Sequence, residues 1–200
     1  TNGTKSILIN GLVWMGEEAF MKQQIEEKLA DGFTCIKLKI GAIDFDKELQ
    51  LLRFIREHFT PEQVEIRVDS NGAFDSDLAL DKLIQLTEFK LHSIEQPIQK
   101  NHTDRMAELC KTTPFPIALD EELIGVFTLA EKEQLLEKIK PQYIILKPSF
   151  VGGFRGTQEW ISLAEKHKIG WWITSALESN IGLNAIAQWT FLQHNLMPQG

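Results

Sequence analysis

Residues 35–41 read CIKLKIG, an apolar run in which two lysines alternate with aliphatic side chains. Successive side chains of a β-strand point to opposite faces, so the Ile and Leu side chains share one face and Lys37 and Lys39 share the other. The apolar face suits burial under helices, and the lysine face would then point into an enclosed region. This stretch therefore predicts a buried strand with positive charge at its carboxyl end.

The same pattern recurs along the chain, and each predicted strand is followed by a predicted helix. The predicted strands are Ile7–Val13, Cys35–Ile40, Glu65–Asp69, Ser93–Glu95, Ile117–Asp120, Tyr143–Lys147 and Trp171–Ser175. The predicted helices are Glu17–Ala30, Asp46–His58, Ser76–Thr87, Thr103–Cys110, Thr128–Ile139, Gly156–His167 and Ile181–His194. Ser76 and Thr128 are candidate N-caps. Strict alternation of strand and helix predicts an α/β fold with a parallel sheet covered by helices.

The spacing of polar residues at the strand ends favours a closed (β/α)8 barrel over an open doubly wound sheet. An open sheet that binds a dinucleotide would show a glycine-rich turn after its first strand, whereas Gly152-Gly153 comes late in the chain. The strand-end residues are separated by 30, 26, 25, 27 and 28 positions, and they are Lys39, Asp69, Glu95, Asp120, Lys147 and Ser175. The same step places an eighth strand just beyond Gly200. We therefore expect residues 1–200 to form a truncated TIM-type barrel of about seven βα units, without strand eight.

Composition excludes several classes of protein. The chain has 200 residues, of which 43% are hydrophobic and 24% charged, enough for one sizeable core. A net charge of −7 argues against nucleic acid as a partner, and no apolar run has the length of a membrane span or the pattern of a signal peptide. Cys35 and Cys110 are expected to be buried, reduced thiols. These features predict a cytoplasmic enzyme with a small-molecule substrate.

Three carboxylates, Asp69, Glu95 and Asp120, are predicted at the ends of three successive strands. Each of them alone could be a solvated strand end or a helix cap. Together, three anions in a partly desolvated site repel one another unless a cation lies between them. An all-oxygen ligand set favours Mg²⁺, with Mn²⁺ as a substitute.

Three lysines flank this carboxylate cluster, with Lys37 and Lys39 on one side and Lys147 on the other. A neighbouring cation lowers the pKa of an ammonium group, so the Lys37 and Lys39 pair could keep one amine neutral enough to act as a base. The alternative is that all three lysines form ordinary ion pairs. A metal ion with lysines on two sides predicts proton abstraction next to a carboxylate, with the metal stabilising the enediolate.

The ordered set of motifs resembles the muconate-lactonizing subgroup of the enolase superfamily along the whole chain. The matching motifs are KLK at 37–39, RVDSNGAF at 67–74, IEQP at 94–97, ALDEE at 118–122 and LKPS at 146–149. Within the subgroup, GGF at 152–154 and TSALESNIG at 174–182 make the chain most similar to the o-succinylbenzoate synthase family.

The resemblance implies a role for each charged strand end. Asp69, Glu95 and Asp120 would be the Mg²⁺ ligands. Lys39 would remove the α-proton, Lys37 would assist through its charge, and Lys147 would be the opposing acid–base or cation. The implied reaction is the dehydration of a cyclohexadiene carboxylate to o-succinylbenzoate in menaquinone biosynthesis.

Four further residues are weaker candidates. By the same resemblance, Ser175 and Glu178 would lie near the distal part of the substrate, and the alternative for either is a capping role. Asn71 is a further candidate substrate contact. Arg67 and Asn71 flank Asp69, which predicts hydrogen bonds that orient this carboxylate. Strand alternation turns Glu121, next to Asp120, away from the site unless a bulge intervenes.

Other functions stay open at this stage. A dipeptide epimerase or muconate cycloisomerase would use the same two-lysine, three-carboxylate arrangement. A Schiff-base aldolase-like barrel would use Lys147 as a nucleophile but leaves the carboxylates unexplained. A binding or assembly module is the non-enzymatic alternative.

The expected truncation bears on activity and association. Relatives carry an N-terminal capping domain to which nothing in this sequence corresponds, so we expect this segment alone to be inactive. Unpaired edges of strands one and seven would favour a homo-oligomer.

Overall fold

Seven parallel strands pair in chain order to form one curled sheet with the helices packed against it, as in a truncated TIM-type barrel. The computed structural model describes residues 6–200. The strands are β1 (Gly11–Val13), β2 (Cys35–Lys39), β3 (Glu65–Asp69), β4 (Ser93–Glu95), β5 (Ile117–Leu119), β6 (Tyr143–Leu146) and β7 (Gly170–Ile173). The predicted fold class is confirmed.

A helix follows every strand, as predicted. The helices are α1 (Glu18–Ala30), α2 (Phe45–His58), α3 (Ala79–Leu86), α4 (Thr103–Thr112), α5 (Leu129–Ile139), α6 (Gly153–His167) and α7 (Asn180–Leu192). Short 3-10 turns cover Thr87–Phe89 and Glu121–Leu123. Among residues 6–200, no helix is both long and apolar enough to cross a membrane.

The two predicted N-caps have different outcomes. Thr128 caps α5, because its hydroxyl accepts from the Glu131 N–H while the Glu131 carboxylate accepts from the Thr128 N–H. Ser76 does not cap α3. The Asp77 N–H donates to Asp75 Oδ1 at 2.8 Å, and this local turn delays the start of the helix to Ala79.

The strands bury two different faces. The outward face supplies the main core with the alternating aliphatic side chains of the strands, such as Ile36, Leu38, Ile66 and Val68, which are fully buried. Inside the barrel, Ala118, Ile145 and Trp172 form a smaller apolar cluster. Alternation along each strand therefore separates the helix-facing core from the barrel interior.

Strand β1 is shorter than predicted, and the residues before it contact the last residues of the chain. The Gln199 N–H donates to the Leu8 carbonyl, and the Asn10 N–H donates to the Gln199 carbonyl, both at 2.8 Å. The Gly200 N–H donates to the Ile173 carbonyl at 2.9 Å. Residues 199–200 thus begin the eighth strand position between the first and seventh strands, slightly earlier in the chain than predicted.

Candidate active site

The charged strand ends converge at the carboxyl edge of the sheet. Strand pairing places Lys39 opposite Asp69, and Asp69 opposite Glu95. Asp120 directly follows β5, and Lys147 directly follows β6. The fold therefore brings the predicted catalytic lysines and carboxylates to one end of the barrel, where the active sites of such folds lie.

Asp69 is the most strongly compensated of the three carboxylates. Its Oδ2 lies 2.5 Å from Lys39 Nζ and 2.9 Å from Lys37 Nζ, and the side chain is fully buried. Burial acts to raise the pKa of Asp69, but the two ammonium groups outweigh it and lower that pKa below its ordinary value. Asp69 is therefore an anion held by two cations.

Glu95 has the opposite electrostatic character. Burial raises the pKa of its carboxyl group well above the ordinary value, against the lowering effect of Lys37, and the neighbouring Asp69 and Asp120 charges raise it further. Glu95 Oε2 pairs with Lys37. Glu95 Oε1 is buried and accepts no hydrogen bond from residues 6–200. This oxygen has a lone pair that a further electropositive partner could use.

Asp120 pairs with Lys147 across the neighbouring strand ends. Burial acts to lower the pKa of Lys147, but the Asp120 carboxylate outweighs it and raises that pKa. Lys37 behaves in the same way, because Glu95 and Asp69 outweigh its burial and raise its pKa. The expectation that the Lys37 and Lys39 pair lowers an amine pKa therefore fails for Lys37. The two carboxylates in contact with Lys37 favour its charged form.

The chemistry of the three carboxylates fits a hard divalent cation. Every donor is an oxygen, and Glu95 Oε1 is buried without a hydrogen bond. The oxygen atoms of the three carboxylates do not all lie close enough together in this structure to form a closed ligand set. In the described part of the chain, the three ligand atoms found within 4.8 Å of one another belong to Glu133, Glu137 and His167 on the outer helices. At the strand ends the lysines balance the carboxylate charge.

A cavity of about 320 Å³ opens above the lysines. Lys37, Lys39 and Lys147 line it, whereas the three carboxylates are buried and do not line it. Ser175, a predicted substrate contact, also lines this cavity. A small molecule in this space would meet lysine ammonium groups on two sides.

Glu178 lies in the loop after β7, where it connects two loops. Its carboxylate accepts from the Ser149 hydroxyl at 2.8 Å and from the Ala176 N–H at 2.6 Å. Glu178 therefore fixes the loop that carries Ser175, and both of its oxygens are already engaged.

Asn71 lies at the mouth of the barrel, in a turn that Asn and Gly suit because the backbone φ is +44° at Asn71 and +75° at Gly72. Its Oδ1 accepts from Lys39 Nζ at 2.8 Å, and its Nδ2 donates to Glu121 Oε1 at 2.9 Å. Its backbone N–H donates to Asp69 Oδ1 at 3.0 Å, a bond that orients this carboxylate as expected.

Glu121 points into the site, contrary to the prediction from alternation. The backbone of Asp120 takes φ −124° and ψ −74°, and the chain enters a 3-10 turn at Glu121. Regular strand alternation ends at that point, so the pattern that turned Glu121 outward does not apply. The acidic pair in ALDEE was the only signal in the sequence, and it does not distinguish the two faces.

Arg67 makes no hydrogen bond to Asp69 among the bonds that the structure describes, contrary to the prediction. It lies two residues earlier on the inward face, which places it about 6.6 Å deeper in the barrel. Its guanidinium stacks on Trp172 at 4.2 Å and bonds Glu65 Oε1 at 2.7 Å and the Pro198 carbonyl at 2.8 Å. Arg67 thus supports the barrel interior.

Gln96 is a supporting residue that sequence reasoning missed. Its side chain is fully buried, and its Oε1 accepts from the backbone N–H of Asp120 at 3.2 Å and of Glu122 at 3.4 Å. Its Nε2 donates to the Ile98 carbonyl at 3.0 Å. Gln96 therefore fixes the backbone that presents Asp120.

Comparison with known proteins supports the resemblance drawn from the motifs. The enolase C-terminal domain-like family matches residues 20–199. The chain is 60% identical over 200 residues to o-succinylbenzoate synthase of Desulfotalea psychrophila, which covers all of this chain and 54% of that protein. It is 26% identical to an L-amino acid-D/L-Glu epimerase of Francisella philomiragia, covering 94% of this chain and 52% of the relative.

Solved structures show the same fold. The crystal structure of MenC from Desulfotalea psychrophila superposes with a TM-score of 0.92 at 58% identity, covering all of this chain and 55% of that one. Muconate cycloisomerase from Pseudomonas fluorescens gives a TM-score of 0.82 at 27% identity, covering 96% and 52%. The chain spans about half the length of the curated relatives that it matches. From the match to residues 20–199 and this whole-chain similarity, we conclude that the chain belongs to the enolase C-terminal domain-like family.

Proposed function

We propose that residues 1–200 form the catalytic barrel of an o-succinylbenzoate synthase, a carbon–oxygen lyase. The observation that carries this proposal is the 60% identity over the whole chain to a relative of that name. The arrangement of the site agrees with it, because lysines on two sides of one cavity suit a small carboxylate substrate. Menaquinone biosynthesis and a cytoplasmic location belong to the same proposal, and buried free cysteines fit a reducing compartment.

In this reaction Lys39 Nζ accepts the proton α to the substrate carboxylate. The β-hydroxyl then leaves as water with the proton that Lys39 has taken, so Lys39 returns to its neutral form and the ring becomes aromatic. Lys147 lines the same cavity from the other side and presents a cation to the ring, a contact worth about 0.5–2 kcal/mol. Lys37 contributes positive charge beneath the substrate while it pairs with Asp69 and Glu95.

Asp69, Glu95 and Asp120 would hold Mg²⁺, or Mn²⁺ in its place. When bound, the cation supplies positive charge to the substrate carboxylate as the α-proton leaves. The buried Glu95 Oε1, which accepts no hydrogen bond among the described residues, supports this assignment. The lysines would then exchange part of their carboxylate contacts for contacts with the substrate.

Epimerisation of a dipeptide is the second candidate. Lys39 and Lys147 both face the cavity, as a two-base mechanism requires, and several relatives at 24–27% identity are epimerases. The Schiff-base alternative has less support, because Asp120 raises the pKa of Lys147 and so keeps its amine protonated.

The decisive assay uses the complete protein that contains residues 1–200 and the cyclohexadiene precursor of o-succinylbenzoate. We expect an aromatic product that requires Mg²⁺ and disappears in Lys39→Ala, while Lys166→Ala on the outer surface keeps its activity. No product from a folded protein that binds Mg²⁺ would refute the synthase assignment.

Lys147→Arg separates the two candidates. Arginine keeps the positive charge but does not act as a base, because its pKa stays above about 12. A synthase should keep measurable activity in this variant, whereas a two-base epimerase should lose exchange of the α-proton that Lys147 handles. Loss of synthase product in Lys147→Arg would show that Lys147 does more than present charge.

A further inference from the structure

Glu121 is an acidic residue of the site that is neither a proposed metal ligand nor a partner of the proposed catalytic lysines. The 3-10 turn after Asp120 brings its half-buried carboxylate to Asn71, with Glu121 Oε1 2.9 Å from Asn71 Nδ2. Its Oε2 is buried and accepts no hydrogen bond from the residues that the structure describes. Within residues 6–200, Asn71 is therefore the one residue whose side chain hydrogen-bonds the Glu121 carboxylate.

This contact fixes which way the Asn71 amide faces. Glu121 Oε1 accepts this hydrogen bond, so the Asn71 NH₂ group points at Glu121. The amide oxygen must then point the other way, toward Lys39 Nζ at 2.8 Å. Without an acceptor at Glu121, the Asn71 NH₂ group would lose its partner, and the amide could rotate and turn its oxygen away from Lys39 Nζ.

The amide oxygen in turn constrains the direction of the Lys39 nitrogen. Lys39 Nζ donates to Asn71 Oδ1 and to Asp69 Oδ2, and the Asn71 backbone N–H bonds the other oxygen of Asp69. The Asn71 backbone bond to Asp69 therefore holds the two acceptors of Lys39 Nζ in a fixed relative position. A tetrahedral nitrogen with two positions directed at them has one position left, and Lys39 lines the cavity.

We propose that Glu121 is a positioning residue that aims Lys39 at the substrate through the Asn71 amide. The consequence for the reaction rests on the proposed function, in which Lys39 removes the α-proton. The juxtaposition of Lys39, Asn71 and Glu121 comes from three separate strand ends and stands on its own. It also gives Asn71 a role other than direct substrate contact.

The first test measures the position of Lys39 without any substrate. Acetylation of Lys39 by acetic anhydride, followed by peptide mass spectrometry, reports how accessible its unprotonated amine is, with Lys166 as internal reference. Glu121→Ala and Asn71→Ala should each raise the Lys39 labelling rate about threefold or more, because both release the amine from one acceptor. Glu121→Gln keeps an oxygen that accepts from Asn71 and should recover most of this change. Glu137→Ala, which removes an exposed carboxylate from α5, is the matched control.

The second test measures turnover in the complete protein. Misplacing a catalytic group by about 1 Å costs up to about 100-fold in rate, so Glu121→Ala should lower kcat about 10-fold or more with KM within about twofold. Glu121→Gln should recover most of that loss. The Glu121→Ala and Asn71→Ala double variant should resemble Asn71→Ala alone, because both act through one amide.

Two results would overturn the proposal. One is a Lys39 labelling rate that Glu121→Ala leaves unchanged, and the other is a double variant in which the two losses multiply. A wild-type protein without synthase activity would refute the proposed function, whereas the labelling experiment would still decide whether Glu121 positions Lys39.

Discussion

At the scale of single residues, the site is a balance between buried carboxylates and buried ammonium groups. Lys37 is the central cation, because it pairs with both Asp69 and Glu95 and is only 10% exposed. Its charge should therefore matter for stability as well as for the proposed chemistry.

Replacing Lys37 should destabilise the fold more than replacing an exposed lysine. Lys37→Met leaves two buried carboxylates without their shared partner, which should cost about 3–5 kcal/mol at pH 7 without divalent cations. The loss should shrink as the pH falls, because burial raises the pKa of Glu95 and this carboxylate takes up a proton. Urea unfolding measures both effects, with Lys47→Met on the surface of α2 as the control. Equal stabilities of the two variants would contradict the burial argument.

Gln96 offers a test of a neutral buried group. Gln96→Leu removes the acceptor of two backbone N–H groups and should lower the free energy of unfolding by about 1–3 kcal/mol. Gln99→Leu changes an exposed side chain three residues away and should cost less than about 0.5 kcal/mol. A Gln96→Leu protein as stable as the wild type would show that these N–H groups find other partners.

Glu48 should make stability depend on pH. Its buried Oε1 accepts from the N–H groups of residues 41–43, and burial outweighs these donors and raises its pKa. A folded-state pKa above the unfolded value of about 4.3 means that the folded protein binds the proton more tightly. The contribution of Glu48 is thus largest below that pH and declines as pH rises through the folded-state pKa.

The measurement compares wild type with Glu48→Gln from pH 4 to 7. The stability of the wild type relative to the variant should fall as pH rises through this window. A constant difference would mean that Glu48 has the same pKa in both states.

At the scale of elements, local signals account for most helix boundaries. Asp44 Oδ1 accepts from the Asp46 N–H at the start of α2, and Thr128 forms a reciprocal capping box at the start of α5. Both helices begin within a residue of the predicted position. Helix α3 begins later than predicted because a side-chain turn competes for its first residues.

The capping box gives a prediction for one element. Thr128→Ala removes the acceptor for the Glu131 N–H and should lower stability by about 1 kcal/mol. Ser162→Ala removes an exposed hydroxyl that bonds the Gln158 carbonyl within α6, and it should change stability by less than about 0.5 kcal/mol. Thermal unfolding of both variants tests the difference, and equal losses would argue against a specific cap.

At the scale of the whole molecule, the carboxylates meet only when β3, β4 and β5 lie side by side. A divalent cation that binds all three therefore binds the folded state alone. At 100 times its Kd, Mg²⁺ should stabilise the fold by about 2.7 kcal/mol. Calorimetry with MgCl₂ or with EDTA measures this shift.

Asp120→Asn should abolish most of the Mg²⁺-dependent stabilisation, whereas Asp104→Asn on the surface of α4 should retain it. A shift that survives Asp120→Asn would locate the cation elsewhere.

The sequence by itself determined the order of seven strands and seven helices, the barrel class and the charged strand ends. These features depend on local periodicity and on spacing that repeats with each βα unit, so they are visible without any long-range contact. The motifs KLK, IEQP and LKPS also identified the family, which the whole-chain similarity confirms.

Only the tertiary structure decided which charges pair and which way the side chains after the strands point. Lys37 takes two carboxylates, Arg67 stacks on Trp172, and Gln199 bonds the backbone before β1. Glu121 turns inward because the backbone leaves the strand conformation at Asp120. Alternation holds only while a strand continues. Beyond its last residue, the direction of a side chain depends on turn geometry and on partners from distant parts of the chain.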